Sequence, residues 1–418
     1  MVIKNWSGTL TYGTQNVFAP RNIQEVQHII KSNAKIQAQG TRHCFNTIAD
    51  NENALLSTAN LNQVIELDTH RRTVTVEAGI KYGELAPWLQ QRGSALRNLA
   101  SLPHISVGGS IATATHGSGI KNTNLSAAVT GLEMVIADGS IVRFSKADNA
   151  DLLNATVVGL GALGVVTKIT LSVVPDYSVC QHVYLDMPLE ALNDHFFDII
   201  SAGYSVSLFT NWANEFIQEV WVKSVTNTGD IQHRTDFYGA IPATQNMHPI
   251  PGIGAEHCTE QMGIAGAWHD RLPHFKMGFT PSSGEELQTE YFVPIHNAVD
   301  AIMAVSRLGA QINPYLLTSE VRTIAKDELW MSPCYQQDTV AIHFTWKQDW
   351  GAVQKLLPII ERELEPYQPR PHWGKLFTMH PDILRSRYAK LDDFKQLAKT
   401  HDPSGKFVNS FLQYNLFS

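Results

Sequence analysis

The sequence has few cysteines, no marked excess of basic charge and no long hydrophobic run, and each shortage excludes a class of protein. The four cysteines, Cys44, Cys180, Cys258 and Cys334, show no paired spacing, which is typical of a reducing compartment, so we expect no structural disulfides. A net charge of −7 with dispersed Lys and Arg argues against a nucleic-acid-binding surface. The longest apolar run, Ala155 to Thr167, is below the roughly 18 residues that a membrane span needs.

Several sequence signals are also missing. The opening MVIKNWSGTL has no apolar core of a signal peptide, and we find no internal repeat and no low-complexity tract. The phosphate-loop pattern G-x-x-x-x-G-K-[ST] is absent, and GGSIA at Gly108 does not match the G-x-S-x-G nucleophile elbow. At 418 residues the chain is long enough for two or three domains. We therefore expect a globular cytoplasmic protein with no membrane or nucleic-acid partner.

The most unusual stretch that is present runs from Ala100 to Gly119. Thirteen of its twenty residues are Gly, Ala, Ser or Thr, and none is charged at neutral pH apart from any protonated histidine. Such a stretch allows a close approach between the backbone and a ligand, and its amide and hydroxyl donors suit an anion such as a pyrophosphate. Taken alone, it is equally compatible with a plain glycine-rich loop.

A second stretch, Ala38 to Asp50, follows a clear helix signal. Asn22 is a candidate N-cap with Glu25 three residues later, and apolar residues then recur at helical spacing. A short strand, KIQA at 35–38, leads into Gly40 and an exposed His43. Helix, strand and glycine turn predict a phosphate-binding loop, although a lone histidine there is usually only a polar loop residue.

The rest of the first half reads as α+β. Val74, Val76 and Ala78 alternate with polar residues, which predicts a strand, and residues 81–92 predict a helix. GLEMVIADGSIVRFS predicts a hairpin with Asp138-Gly139 at its turn.

The run from Gly159 to Gly164 fits the G-x-G-x-x-G dinucleotide fingerprint, but its context is inverted. The fingerprint requires a strand before it and a helix after it, whereas here a helical pattern precedes and a β-branched, strand-like segment follows. We therefore predict no Rossmann site.

Together these stretches resemble the alditol (xylitol, sorbitol) oxidase branch of the vanillyl-alcohol-oxidase superfamily of flavoproteins. In that family a G-x-x-H-S/C-F turn carries the flavin and ASLPHISVGGS wraps it. The similarity spans nearly the whole chain, since five further motifs follow in the family's order: GLGALGVVTKITL (159–171), SEVRTI (319–324), HFTW (343–346), HWGK (372–375) and DPSGKFVNSFL (402–412).

The resemblance implies a two-domain α+β fold of the PCMH type. The FAD domain would comprise residues 1–175, completed by 380–418, and a mixed-sheet substrate (cap) domain would comprise 176–379. The last motif, DPSGKFVNSFL, would form a strand-and-turn segment that closes the FAD domain.

The resemblance also implies FAD bound covalently through His43, by a bond from an imidazole nitrogen to the 8α methyl group. The central loop has no Cys, so we expect a single bond. Arg42 departs from the family, which commonly has Gly before this His. The other residues that the resemblance places at the cofactor are Ala38, Gln39, Gly40, Thr41, Arg42, Cys44, Ser101, Ser106, Gly109, Ser110, Ile111, Ala112, Thr113, His116 and Val165.

Polar residues at strand spacing form a third pattern. Glu320 and Arg322 are two residues apart and share a strand face, as do His343 and Thr345. Gln288, Glu290 and Phe292 likewise share a face. Alternation of this kind is usually a solvated sheet face. The resemblance instead implies a polar floor above the flavin that holds the hydroxyls of a polyol.

The chemistry of alcohol oxidation then suggests roles for several of these residues and for Lys375 of the HWGK motif. Arg322 and Lys375 would act on the reacting hydroxyl, and either Lys375 or His343 would accept its proton. The substrate would be held by Ser101, Gln288, Glu320, Arg322, Thr345 and Lys375.

A histidine-rich segment, 232–275, carries no zinc-ligand spacing, and we expect no metal there or elsewhere. It contains His233, His248, His257, Cys258, His269 and His274.

The function implied is an FAD-dependent alditol oxidase that converts a terminal hydroxyl of xylitol or sorbitol to the aldose and reduces O2 to hydrogen peroxide. An aldonolactone oxidase or dehydrogenase of the gulono- or galactonolactone type, with the same fold, remains open. So does a flavin- or carbohydrate-binding protein without turnover. We expect a monomer.

Overall fold

The computed structural model describes residues 2–226, 235–278 and 285–418. The first part of the chain begins with helix α1 (Ile23–Ser32), in which the side chain of Asn22 accepts a hydrogen bond from the Glu25 N–H, as the sequence predicts. The strand after it begins two residues later than predicted. Three short parallel strands follow one another across a small sheet in the order β1-β3-β2: β1 (Val17–Phe18), β2 (Gln37–Gln39) and β3 (Leu55–Ser57).

A five-stranded antiparallel sheet lies next to this unit. Its strand order is β4-β5-β9-β7-β8: β4 (Val64–Asp68), β5 (Thr73–Glu77), β7 (Val129–Val135), β8 (Ile141–Ser145) and β9 (Val165–Ser172). Strands β7 and β8 form the predicted hairpin, and Gly139 takes the positive φ of +84° that its turn requires. The strands β6 (Ser94–Ala95) and β10 (Val174–Pro175) pair separately.

The helices of this part of the chain also agree with the sequence. Helix α2 (Tyr82–Gln90) lies within the range predicted as helical. Helix α3 (Val107–Ala112) lies in the glycine-rich stretch, and α4 (Ala150–Val157) precedes Gly159. Because α4 comes before the glycine run and β9 after it, the prediction that this run is not a Rossmann turn is confirmed.

A nine-stranded antiparallel sheet dominates the described residues after position 175. Its order is β14-β11-β13-β12-β17-β18-β16-β19, with β15 also beside β11. Its strands are β11 (Ser178–Pro188), β12 (Ser205–Thr210), β13 (Phe216–Val225), β14 (Ile241–Pro242), β15 (Gly266–Ala267), β16 (Glu286–Pro294), β17 (Leu316–Ile324), β18 (Thr339–Lys347) and β19 (Arg370–Pro371).

The two faces of this sheet differ in chemistry because strand side chains alternate. Val321, Ile342 and Phe344 belong to a hydrophobic core shared with the helices on one face. Their neighbours Glu320 and His343 point the other way. The helices are α5 (Ala191–Ile200), α6 (Ala298–Ser306), α7 (Gly309–Ile312) and α8 (Trp350–Leu364).

The C-terminal segment returns to the first part of the chain. It forms the helices α9 (Pro381–Ser386), α10 (Leu391–His401) and α11 (Ser410–Leu412). Phe394 and Leu412 lie in one hydrophobic core with Val74 of β5. The Asn409 amide donates to the carbonyl oxygens of Ile48 and Asp50 at 2.9 and 2.8 Å, which fixes this contact.

One expectation for this segment is wrong. Residues 402–412 form turns followed by α11 and contain no strand. The physical reason is the side chain of Asn409, which caps the Leu412 N–H at 2.9 Å and so starts a helix where the resemblance implied a strand.

The division into an FAD domain (1–175 with 380–418) and a substrate domain (176–379) stays a prediction. None of the helices in the described residues combines the length and apolarity that a bilayer crossing requires.

Candidate active site

A cavity of about 280 Å³ lies between the glycine-rich elements and the polar face of the large sheet. On one side it is lined by the turn after β2, by the stretch around α3 and by residues 159–164. On the other it is lined by β16, β17 and β18 and by the turn at 372–375. A smaller apolar part of the wall comes from Phe209, Pro249, Ile250 and Phe275. The cavity therefore joins the two motif groups that the sequence singled out.

Glycine is required where backbone segments meet around this cavity. A Cβ on Gly40 would lie 2.3 Å from Ser106 Oγ, and a Cβ on Gly108 would lie 2.8 Å from the carbonyl oxygen of Ala78. Gly161 and Gly164 have φ values of +76° and +149°, which residues with a side chain rarely adopt. These glycines leave backbone exposed toward a ligand.

His43 lies on the cavity wall in a fixed orientation. Its Nδ1 is 3.0 Å from Thr41 Oγ1, and the indole of Trp6 stacks on its ring at a centroid distance of 5.1 Å. Its Nε2 is buried and has no hydrogen-bond partner in the described residues. Burial, and then the neighbouring His104, lowers the pKa of His43 to about 4, so the ring is neutral and nucleophilic at working pH.

Arg42 has a φ of +60°, in the left-handed region that favours glycine. This explains why the resembled family commonly has Gly there. The turn therefore keeps its left-handed conformation although Arg replaces the usual Gly.

The residues present fit a flavin. Three buried polar atoms on the cavity-lining residues have no partner in the described residues: Gln37 Oε1, Gln39 Nε2 and His43 Nε2. Such atoms are rare in native proteins and point to a polar ligand. Together with the bare backbone at the glycines, they match a cofactor that carries both a hydrogen-bonding ring and a pyrophosphate.

Most of the residues expected at the cofactor line the cavity: Ala38, Gln39, Gly40, Thr41, Arg42, His43, Cys44, Ser101, Gly109, Ser110, Ala112, Thr113 and His116. Three do not. Ile111 and Val165 pack their side chains into hydrophobic cores, and Val166 lines the cavity instead because β9 alternates. Ser106 lies behind Gly40.

The polar residues of β16, β17 and β18 form two rows across the sheet. The register places His343 opposite both Glu320 and Glu290. The next row holds Thr318, Thr345 and Gln288. All six line the cavity, so this alternation marks a buried polar wall rather than a solvated face.

Glu290 is the centre of this wall. One carboxylate oxygen accepts from Arg322 Nη2 at 3.0 Å, and the other accepts from Lys375 Nζ at 2.7 Å. His116 Nε2 lies 3.3 Å from the first oxygen. Burial alone would raise the pKa of Glu290, but Lys375, His116 and Arg322 hold it well below the usual range. The two predicted cations thus share one buried counter-ion.

Lys375 also contacts His343, whose Nδ1 is 2.6 Å from Nζ. The ammonium can only donate, so Nδ1 accepts and the ring proton lies on Nε2, which is 2.9 Å from Thr345 Oγ1. Burial and the adjacent Lys375 lower the pKa of His343 to about 4. Asn46 holds the lysine's turn by donating to the Lys375 carbonyl at 2.6 Å.

Arg322 connects the wall to the glycine-rich stretch. Its Nη1 donates to Ser101 Oγ at 3.2 Å, and its Nε faces Glu320 at 3.4 Å. The structure therefore brings together every residue expected to contact substrate: Ser101, Gln288, Glu320, Arg322, Thr345 and Lys375.

Sequence reasoning missed Glu286. Its buried carboxyl accepts a hydrogen bond from Gln288 Nε2, and burial raises its pKa to about 7. The signal was available, because Glu286 extends the alternation of Gln288 and Glu290. The central role of Glu290 was also missed, although its place on the polar face was recognised.

One group of potential metal ligands exists among the described residues: His116, Glu290 and His372 offer ligand atoms within 4.8 Å of one another. Both oxygens of Glu290 already bind cations, so a metal ion would face Arg322 and Lys375. The expectation that no metal is bound stays a prediction. In the histidine-rich segment, His274 lines the cavity, whereas His233 lies outside the described residues.

Two family models match two different parts of the chain, and each part contributes residues to the cavity wall. The FAD binding domain model matches residues 14–145, and the D-arabinono-1,4-lactone oxidase model matches residues 282–415. The second range contains the whole three-stranded polar wall.

Several curated proteins are similar over nearly the full chain. An alditol oxidase of Streptomyces sp. is 46% identical over 414 residues, which cover 98% of each protein. An L-gulono-1,4-lactone dehydrogenase of Mycobacterium tuberculosis is 28% identical, with 98% and 97% coverage. Among solved structures, cholesterol oxidase from B. sterolicum has a TM-score of 0.80 at 15% identity, covering 99% of this chain and 96% of that one, which shows a shared fold.

We predict that Glu286→Gln stabilises the holoenzyme increasingly as pH rises. A carboxyl whose folded pKa is about 7 and whose reference value is 4.5 contributes stability that falls between those pH values and stays lost above pH 7. The amide does not titrate, so the variant should gain about 3 kcal/mol relative to the parent across this window. Thermal midpoints at a series of pH values measure it. Glu285→Gln, at the exposed neighbouring position, is the control for replacing a glutamate, and parallel curves for parent and Glu286→Gln would refute the prediction.

We predict the opposite sign for Glu290→Gln on the same strand. Removing the charge leaves Arg322 and Lys375 buried without their shared counter-ion, which should destabilise the protein by about 3–5 kcal/mol. The thermal midpoint should fall clearly at neutral pH, where Glu286→Gln raises it. An unchanged midpoint would show that the two cations do not depend on Glu290.

Proposed function

The chain belongs to the alditol oxidase family within the vanillyl-alcohol-oxidase superfamily of FAD-binding oxidoreductases, and we propose that it oxidises the terminal hydroxyl of an alditol such as xylitol or sorbitol, with O2 reduced to hydrogen peroxide. One observation carries the proposal. Arg322 and Lys375 converge on a single buried carboxylate at the end of the cavity, beside rows of hydrogen-bonding side chains.

The polar wall suits a polyol because each hydroxyl both donates and accepts a hydrogen bond. Glu320 supplies an acceptor, and Gln288 and Thr345 supply both kinds of group. A buried wall of this kind rejects analogues that lack the hydroxyls, since its polar groups would then stay unpaired. We propose that these three residues bind the hydroxyls of the polyol that are remote from its reacting carbon.

FAD, when bound, supplies the hydride acceptor and the route by which electrons reach oxygen. The residues that would hold it are those lining the glycine-rich side of the cavity, with His43 as the covalent attachment. The neutral ring of His43, fixed by Thr41 and Trp6, is prepared for such a bond.

The reacting hydroxyl must lose its proton as its carbon loses hydride. Arg322 stays charged and so stabilises negative character on the oxygen but cannot accept the proton. Burial lowers the pKa of Lys375, Glu290 opposes this, and Arg322 adds to the lowering. We propose that Lys375, in the neutral form that its lowered pKa favours, takes up the hydroxyl proton while its two N–H groups donate to Glu290 and to His343 Nδ1. His343 orients Lys375 and does not itself contact the hydroxyl proton, because its Nδ1 is bonded to Lys375 and its Nε2 to Thr345.

An aldonolactone substrate is the second candidate. It is favoured by the match of the D-arabinono-1,4-lactone oxidase model to residues 282–415, which carry the polar wall. Peroxide production measured across alditols and aldonolactones separates the two. The expected monomeric state and cytoplasmic location stay predictions.

The direct test of the proposal is anaerobic addition of xylitol to the purified yellow protein. Loss of the oxidised flavin absorbance, followed by its return and peroxide formation when oxygen is admitted, is the expected result. A spectrum unchanged by alditols and bleached by a lactone would favour the second candidate. A spectrum unchanged by either would indicate a binding protein.

We predict that acid precipitation leaves the yellow colour in the protein pellet, because FAD is attached through His43. His43→Ala should release it into the supernatant or bind none. His104→Ala is the matched control, since this histidine is a neighbour of His43 but contacts the Met277 carbonyl and does not line the cavity, and it should keep the colour in the pellet. Flavin in the parent's supernatant would refute covalent attachment.

We predict that Arg322→Ala and Lys375→Met each slow flavin reduction by xylitol about 10²- to 10³-fold, the usual effect of removing one electrostatic donor. Gln288→Ala should mainly weaken binding. Anaerobic stopped-flow reduction gives the limiting rate and the apparent affinity separately, and Lys347→Met, at the exposed end of β18, is the control. If the two variants reach the parent's limiting rate, the roles assigned to the cations are wrong.

A further inference from the structure

A buried lysine lies behind the polar wall, two strands away from Glu320. Lys223 of β13 is fully buried, and nothing in the proposed chemistry uses it. Its Nζ lies 2.6 Å from the Leu272 carbonyl oxygen, 3.0 Å from that of Pro273 and 3.2 Å from His274 Nδ1. Burial lowers the pKa of Lys223 to about 7, although Glu320 opposes the lowering, so the side chain is an ammonium below that pH. Each of the three N–H donors of the ammonium has an acceptor here.

His274 connects this lysine to the wall. Its Nε2 is 2.7 Å from Glu320 Oε1, and its ring meets Trp221 and Phe209 edge to face at centroid distances of 5.1 and 5.6 Å. The backbone N–H of His274 donates to the Ser101 carbonyl at 3.1 Å. The ring is therefore clamped on several sides and has little freedom to rotate.

Hydrogen bonding determines where the proton on this ring lies. Burial would raise the pKa of Glu320, but Arg322 and His274 hold it far below the usual range, so its carboxylate only accepts. His274 must then carry a proton on Nε2. Burial lowers the pKa of His274 to about 4, so the ring holds one proton and Nδ1 presents a lone pair to Lys223.

The other tautomer is disfavoured at both ring nitrogens, by Lys223 on one side and by Glu320 on the other. With the proton on Nδ1, an N–H would face the Lys223 ammonium, and the lone pair on Nε2 would face the carboxylate of Glu320. Two acceptors at hydrogen-bond distance repel each other, so Glu320 would move. The ammonium of Lys223 prevents this by requiring an acceptor at Nδ1.

We propose that Lys223 and His274 are positioning residues, which hold Glu320 in place by fixing the tautomer of His274. Glu320 is held from behind by His274 and from the side by Arg322, so the orientation that its carboxylate presents to the cavity is set. The consequence for catalysis rests on the proposed function only through the substrate contact assigned to Glu320. Lys223 and His274 thereby govern the binding of the substrate's remote hydroxyls rather than the chemical step.

The first test compares Lys223→Met, His274→Leu and His274→Gln holoenzymes. Met and Leu remove the donor and the ring, and the loss of one charge-assisted hydrogen bond should raise KM for xylitol about 10- to 100-fold. The limiting kcat should stay close to that of the parent. Gln can accept from Lys223 with Oε1 and donate to Glu320 with Nε2, so it should restore KM. Lys347→Met is the control for loss of a lysine.

The second test reads the tautomer directly and needs no substrate. Nitrogen NMR shifts of histidine-labelled holoenzyme distinguish a protonated ring nitrogen from an unprotonated one, and the signal missing in His274→Leu identifies His274. At a pH below 7, where Lys223 is an ammonium, we expect the proton on Nε2 in the parent and a larger population of the Nδ1 tautomer in Lys223→Met, because one of the two groups that disfavour it is gone.

Each result bears on a defined claim. A proton on Nδ1 in the parent overturns the proposal whatever the substrate is. An unchanged KM in folded Lys223→Met or His274→Leu also overturns it, as does a KM for His274→Gln no better than that for His274→Leu. If Lys223→Met does not fold, the comparison of the two His274 variants still decides. A parent that oxidises no alditol but has the expected tautomer refutes the proposed function and leaves the tautomer assignment standing.

Discussion

The shared carboxylate of Glu290 is the interaction on which the rest of the cavity depends. Two buried cations close together would repel each other and would each lose their hydration. Glu290 offsets both effects, because one oxygen takes Arg322 and the other takes Lys375. The same contacts orient the cations, so that Arg322 Nη1 reaches Ser101 and the remaining N–H of Lys375 is left for the cavity. The counter-ion thus keeps the charges buried and also directs them.

The fold makes this arrangement possible through simple alternation along three neighbouring strands. Val321 of β17 and Ile342 and Phe344 of β18 enter the helix-covered core. The residues that alternate with them, Glu320, Arg322, His343 and Thr345, face the cavity. Antiparallel register then sets Glu320, His343 and Glu290 in one row, although they are far apart in sequence. Strand pairing therefore brings these three residues together, and the turn at 372–375 places Lys375 beside them.

Much of this could be predicted from the sequence, for reasons that differ by element. Local signals were sufficient for α1, with its Asn22 cap, and for the hairpin at Gly139, since caps and turns depend on neighbouring residues. The polar face of the strands followed from period two. Which residue is central could not be predicted, because the position of Glu290 between two cations depends on the register and on a distant turn. The tail at 402–412 was predicted wrongly because the resemblance implied a strand, whereas the Asn409 cap decides locally for a helix.

The balance of charges also explains why these ionised side chains can be buried in the wall. Arg322 and Lys375 are matched by Glu290 and Glu320, so the four groups are formally neutral before any substrate enters. A neutral alcohol can therefore bind without an uncompensated charge beside it. As negative character develops on its oxygen, the attraction of the nearby cations increases, while Glu290 stays bound to both of them. Because the surroundings are buried, this late attraction is screened less than it would be in water. The arrangement therefore favours the transition state more than the bound alcohol, which is what catalysis requires.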